Sequence, residues 1–359
     1  MHSEAWGRLN SLRSRLPHAL LIAGRPGIGK FDLAMYFAQS MLCEQAGDDF
    51  APCGKCLPCG WFLRKNHPDF RLLQPESEKE HDRASASEVA SPADDAVSDK
   101  SAGKKKPSRQ ITIDQSRALD DFLHVGAHRR GARIVLVHPA EAMNRATANS
   151  LLKSLEEPSE GALFLLVSSE FSRLLPTIRS RCLFVPVALP EAEKCEEWLH
   201  RSGVGKDAKN WLALAGGSPF LAAQLLKEEQ GLLEALLAEL LKKTKFDPLG
   251  AAASLERAVK ADKRRNALKR AIELMQKWLF DLFLACKGLL PRYFLAHVEV
   301  LRHCAAASSA ENILAFNRKS LEYRLFCEQP VNSRLFLEEV FLNYAALFVT
   351  RRRLPCQVQ

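Results

Sequence analysis

Residues Gly24 to Phe31 read Gly-Arg-Pro-Gly-Ile-Gly-Lys-Phe. A phosphate-binding loop has Gly, four residues, Gly, Lys and then Ser or Thr. Its glycines let backbone N–H groups close on phosphate oxygens, its lysine reaches the outer phosphates, and its hydroxyl holds Mg²⁺. Gly24, Gly29 and Lys30 satisfy the pattern, but Phe31 stands where the hydroxyl is needed. A phenyl ring cannot ligate a hard cation that demands oxygen. The loop is therefore expected to bind ATP weakly or not at all.

The second group is Cys53-Gly-Lys-Cys56-Leu-Pro-Cys59, with Cys43 ten positions before it. Four thiolates match a tetrahedral structural zinc site, which leaves no coordination position open for catalysis. An iron–sulfur cluster also takes four cysteines, and a Cys-x-x-Cys pair can be redox active. Zinc is preferred because no fold context for electron transfer accompanies the cluster. His67, beside Pro68, is a spare ligand candidate that reads better as a capping or surface residue. Cys182, Cys195, Cys286, Cys304, Cys327 and Cys356 are scattered singly and read as reduced thiols. A secreted disulfide framework would be denser and shorter.

An ATPase of this build needs acids at the end of a second strand, one for Mg²⁺ and one for the attacking water. The matching run Arg133–Val137 ends in His138-Pro139 instead. Glu141 lies further along and is expected on the surface of the turn. Phe31 and His138 thus damage one Mg²⁺ site independently.

These groups must be carried by elements. His18–Ala23 is a short apolar run, and Phe31, Leu33, Ala34, Phe37, Ala38 and Met41 recur at helical spacing after the glycines. Strand, loop and helix are the context that the motif requires. Further strands are expected at 133–137, 163–167 and 181–185. Helices are expected at 115–124, capped by Asp114, and from Asn144 or Thr147 to Glu157 before Pro158. Alternating strands and helices predict a parallel α/β sheet. From Pro190 onward strand signals vanish. Short helices at 191–202, 208–214 and 219–227 precede long amphipathic ones at about 250–288, 293–306, 310–327 and 332–352.

A chain of 359 residues exceeds one ordinary core. The net charge of +9 is compatible with nucleic acid nearby or simply with a solvated basic surface. The first residues, Met-His-Ser-Glu-Ala-Trp, are not a secretory signal, and charges at Asp281, Lys287, Arg292 and Glu299 interrupt the apolar stretch 278–301. A cytoplasmic location is expected. Residues 76–109 lack Phe, Tyr and Trp and are rich in Ser, Ala, Asp, Glu and Lys. That composition predicts a disordered insertion.

Asn149-Ser-Leu-Leu-Lys-Ser-Leu-Glu-Glu-Pro158 and Pro176-Thr-Ile-Arg-Ser-Arg-Cys182, with the cysteines after the phosphate loop, resemble signatures of bacterial clamp-loader subunits of the AAA+ family. The defects above make the resemblance strongest to the delta-prime type of DNA polymerase III. It covers the α/β part closely and the helical part in layout, and the insertion departs from it. The resemblance implies an AAA+ ATPase-like core at 1–187 with a zinc module at 43–59. A helical lid at 188–245 and an all-α collar at 246–359 would follow. It implies a subunit without ATPase activity of its own, set beside gamma/tau and delta subunits in a five-membered ring that loads a sliding clamp on primer-template DNA. In such a ring Arg181 would be offered in trans to a neighbour's ATP; a structural ion pair with Glu156 or Glu157 competes with that role. Active relatives carry a nucleotide-sensing Arg in the lid, where Gly217-Ser218-Pro219-Phe220 has none. An active gamma/tau-like ATPase and a zinc-dependent nucleic-acid binder are the competing functions.

Overall fold

The computed structural model describes residues 2–76, 108, 110–124, 132–205, 207–242, 246–262, 266–327, 329 and 331–348. Of the expected insertion at 76–109, all but residues 76 and 108 lies outside the described residues. The chain divides into two units, Met1–Pro190 and Glu191–Gln359.

The first unit is built on five strands: β1 (Ala19–Ala23), β2 (Phe70–Leu73), β3 (Arg133–Val137), β4 (Ala162–Ser168) and β5 (Leu183–Pro186). They lie in the order β2-β3-β4-β1-β5, and each neighbouring pair is parallel. Every residue of β1, β3 and β4 is buried, as a parallel sheet covered on both faces requires. The side chains alternate between two cores. Leu20, Ile22, Ile134, Leu136, Leu163 and Leu165 pack with Leu9 and Phe37 on one face. Leu21, Val135, Val137, Phe164 and Leu166 pack with Leu119, Leu151 and Leu155 on the other. The layers are α1 (Ser3–Ser11) and α2 (Lys30–Leu42) on the first face, and α4 (Ile113–His124) and α5 (Arg145–Glu156) on the second; α3 (Leu57–Leu63) and α6 (Pro176–Arg179) are short connectors. β5 is outermost, with Leu183 and Phe184 exposed.

Two boundaries and one strand differ from expectation in this unit. α4 begins at Ile113, so Asp114 sits inside its first turn, and Gln115 Oε1 accepts the N–H of Thr112 at 3.2 Å. β5 begins at Leu183 rather than 181, because the α6 turn continues to Ser180 and its last bonds reach Arg181 N. β2 was not expected; its four residues include Arg71 and show no alternation. The cap of α5 is Asn144, whose Oδ1 accepts from Thr147 N at 2.8 Å.

The second unit is helical throughout its described residues: α7 (Ala192–Arg201), α8 (Ala208–Leu214), α9 (Pro219–Leu240), α10 (Pro248–Ala261), α11 (Ala267–Cys286), α12 (Val298–Ala306), α13 (Ala310–Phe326) and α14 (Ser333–Ala346). α9 continues well past the expected end at 227. The single helix expected over 250–288 is two. Asp262 leaves helical geometry and Asn266 takes a positive φ of 66°, a conformation that asparagine tolerates better than most residues. Arg270 closes the break with a 2.6 Å ion pair to Asp262. In the core, Trp278 Nε1 donates to Tyr344 Oη at 3.0 Å. Asp281 is fully buried and accepts the N–H groups of Arg292, Tyr293 and Phe294 at 2.8, 2.8 and 2.7 Å. Among the described residues no helix is long and apolar enough to cross a membrane.

Candidate functional site

Parallel strands deliver their following residues to one side of the sheet. Gly24 leaves β1, His138 leaves β3, and Ser169 leaves β4. The phosphate-loop residues, the strand-end histidine and Ser169 therefore meet. Gly24 is required there, because a Cβ on it would lie 2.5 Å from the Val187 carbonyl oxygen. Gly29 turns into α2 with a φ of 89°, which favours glycine.

Lys30 is buried and directed into the protein's own loop. Its Nζ donates to the Arg25 carbonyl at 2.5 Å and to Ser169 Oγ at 3.1 Å. Burial pulls its ammonium down to about 8, with Glu141 opposing that pull. His2, from the start of the chain, places Nε2 2.5 Å from the Ile28 carbonyl; the oxygen can only accept, so Nε2 carries the proton.

Phe31 stacks on His138, with ring centroids 4.6 Å apart and 26° between planes. The two residues that depart from the expected Mg²⁺-site pattern thus lie against each other as an aromatic pair. Burial lowers His138 to about 4; Glu141 opposes the shift and Lys30 adds to it. Glu141 is not on the surface of the turn as expected. Its Oε1 accepts from Ser169 N at 3.0 Å, and its Oε2 is buried without a hydrogen-bond partner among the described residues, as is His138 Nδ1. The turn Ala140–Ala142 is short enough to swing Glu141 back under the end of β4. Sequence reasoning passed over Ser169 and His2. Ser169 was accessible from topology, as the residue after a central strand; nothing in the sequence pointed to His2.

The four expected thiols do come together. The Sγ atoms of Cys43, Cys53, Cys56 and Cys59 lie within 4.8 Å of one another, and Cys43 and Cys56 are 3.9 Å apart. A tetrahedron with Zn–S bonds of about 2.3 Å has edges of about 3.8 Å, so the donor set fits zinc or a similar thiophilic ion. Cys43 ends α2 and Cys59 is buried on α3. Backbone N–H groups of Lys55 and Cys56 point at Cys53 Sγ at 3.5 and 3.3 Å, and that of Cys53 points at Cys43 Sγ at 3.3 Å. The N–H groups of Lys55 and Cys56 hold the Cys53 thiol down to about 6, whereas burial pushes Cys59 up to about 12. A cation at the centre would stabilise all four as thiolates. His67 is outside the group: its Nδ1 accepts from Asp69 N at 3.0 Å, and its ring meets the edge of Trp61.

Arg181 lies between α6 and β5 and is half-exposed. Its guanidinium makes a 2.6 Å ion pair with Glu156 Oε1 and donates to the Thr177 carbonyl at 3.0 Å. Arg179 is committed elsewhere, stacked 4.4 Å from the centroid of Phe171. At Gly217–Phe220 the chain enters α9 through Ser218 and Pro219, with no arginine in that turn.

A family model described as "DNA polymerase III, delta subunit" matches residues 4–190. The DNA polymerase III subunit delta' of Pseudomonas aeruginosa is 33% identical over 359 residues, covering 95% of this chain and 95% of that one. The subunit delta' of Escherichia coli is 32% identical over 212 residues, 58% of this chain and 54% of that one. A gamma subunit-related protein of Thermotoga maritima, known from a crystal structure, covers 94% of this chain and 99% of its own at 17% identity and a TM-score of 0.40.

Proposed function

This chain belongs to the family of DNA polymerase III delta-prime subunits, and from that membership we propose that it is a non-hydrolysing member of a clamp loader that acts on a neighbour's ATP. The carrying observation is the pocket itself. Lys30 is tied to Arg25 O and Ser169 Oγ, and Phe31 lies on His138 in place of a hydroxyl and an acid. The lid turn at 217–220 brings no arginine to a nucleotide. Glu141 acts on Lys30 and His138 here, but its Oε1 is taken by the Ser169 N–H, and the pocket lacks both the loop hydroxyl and the strand-end acids that hold Mg²⁺ and orient an attacking water.

What the chain can contribute is Arg181. A planar, permanently charged guanidinium matches a transferring phosphoryl group, and such a finger supplies several powers of ten in rate. We assign it to ATP bound by an adjacent gamma/tau subunit. The zinc module at 43–59 then stiffens an ATPase-like AAA+ core at 1–187, with a lid at 188–245. A collar at 246–359 joins the delta and gamma/tau subunits in a ring that serves the sliding clamp and primer-template DNA.

Purified alone, the chain should show no ATP turnover above background. Turnover on the order of 1 per second, within the usual enzyme range, would instead favour an active gamma/tau-like subunit. In the reconstituted complex Arg181→Ala should leave assembly intact and depress DNA-stimulated hydrolysis at least about tenfold. Hydrolysis at the wild-type rate would remove the finger from the account.

A further inference from the structure

Arg181 is bound to its own chain. Glu156 is the last residue of α5, and its Oε1 holds the Arg181 guanidinium at 2.6 Å while the Thr177 carbonyl takes a second N–H at 3.0 Å. Both acceptors mimic what a phosphate offers, a negative oxygen and a second oxygen within the span of the same fork. Glu156 also sits at the negative end of a helix, where a carboxylate is poorly placed unless a cation accompanies it. Its most favourable neighbour is therefore the arginine that the neighbour's ATP would claim. The side chains are 35% and 48% exposed, so water screens the pair and makes it easy to break.

We propose that Glu156 is a positioning residue that latches Arg181 in a withdrawn state and gives it up when a γ-phosphate arrives across the subunit interface. The latch rests on the finger reading above. It sets a threshold: while the ring is loose, the arginine stays on Glu156, and DNA-free hydrolysis stays low. When the interface tightens, the phosphate oxygens outcompete one half-exposed carboxylate, because several negative oxygens in a water-poor site attract the fork more strongly.

The test uses the assembled complex with full-length chains. Glu156→Gln keeps shape and removes charge, and should raise DNA-free ATP hydrolysis about two- to five-fold, the range open to an exposed ion pair. The DNA-stimulated rate should stay near wild type, so the ratio of the two falls. Glu156→Asp keeps the charge and should restore the wild-type ratio, which a purely structural role would not predict. Unchanged rates in Glu156→Gln would overturn the latch, and so would a fall in both rates, since Glu156 would then be supporting the working geometry. Arg181→Ala run alongside separates the two ideas. If it leaves both rates unchanged, the finger assignment fails and takes the latch with it. If it depresses stimulated hydrolysis while Glu156→Gln does nothing, only the latch is lost.

Discussion

Phe31 and His138, the two departures from the expected nucleotide-site pattern, pack against each other. Their ring centroids lie 4.6 Å apart. The stack also buries an imidazole, and that has a measurable pH signature. An unfolded histidine titrates near 6.5, whereas His138 in the fold is held at about 4. Between those values the unfolded chain carries the extra proton. Stability from this residue is therefore full above about 6.5 and is lost progressively on acidification towards 4, by roughly 1 to 3 kcal/mol. Urea denaturation at pH 7 and pH 4.5 should show this loss in wild type, and His138→Asn should have a smaller difference between the two pH values. An equal difference in both proteins would mean that the stacked ring contributes nothing to acid sensitivity.

At the scale of elements, the loop between α2 and α3 has too few apolar residues to fold by burial, and a metal held by its four thiols would take over that task. Cys56→Ser should lower zinc from about one per chain to well below that, and lower the melting temperature by several degrees. Elemental analysis and a thermal melt read the two effects. Full metal content in the variant would show that the cluster is not the binding site. Much of this layer was legible beforehand. β3 was bounded correctly because four consecutive apolar residues, Ile134 to Val137, follow Arg133 and stop at His138-Pro139, and the four cysteines advertise themselves by spacing. β2 escaped because its four residues, Phe-Arg-Leu-Leu, give neither a sustained apolar run nor an alternation. The division of 250–288 escaped because Asp262 and Asn266 are polar residues that any exposed helical turn would accept, and only the backbone reveals the stop. Glu156 or Glu157 was expected as a competing ion-pair partner of Arg181, and Glu156 is the one that pairs; the contact depends on α6 turning back over the end of α5, which local sequence does not encode.

At the scale of the whole molecule, the first unit carries two hydrophobic clusters, one on each face of the sheet, and the second unit carries one of its own. In the second unit, Asp281 joins α11 to the segment at 292–294 through three N–H bonds, although burial pushes its carboxyl above the ordinary range. Asp281→Ala leaves those donors without their acceptor and should cost about 2 to 4 kcal/mol by urea denaturation, with zinc content unchanged because the sulfur cluster lies in the other unit. A loss of metal along with stability would mean that the two units do not fold independently. The outermost position of β5 has a different consequence. Beyond it no further strand is hydrogen-bonded among the described residues, and Leu183 and Phe184 face solvent. An open border of this kind invites unrelated strands to add on, so the chain made without its companions should be sticky and precipitate at concentrations where a Phe184→Lys variant stays clear in light scattering. Solubility on its own thus becomes a gauge of how far this uncovered edge governs what the chain sticks to.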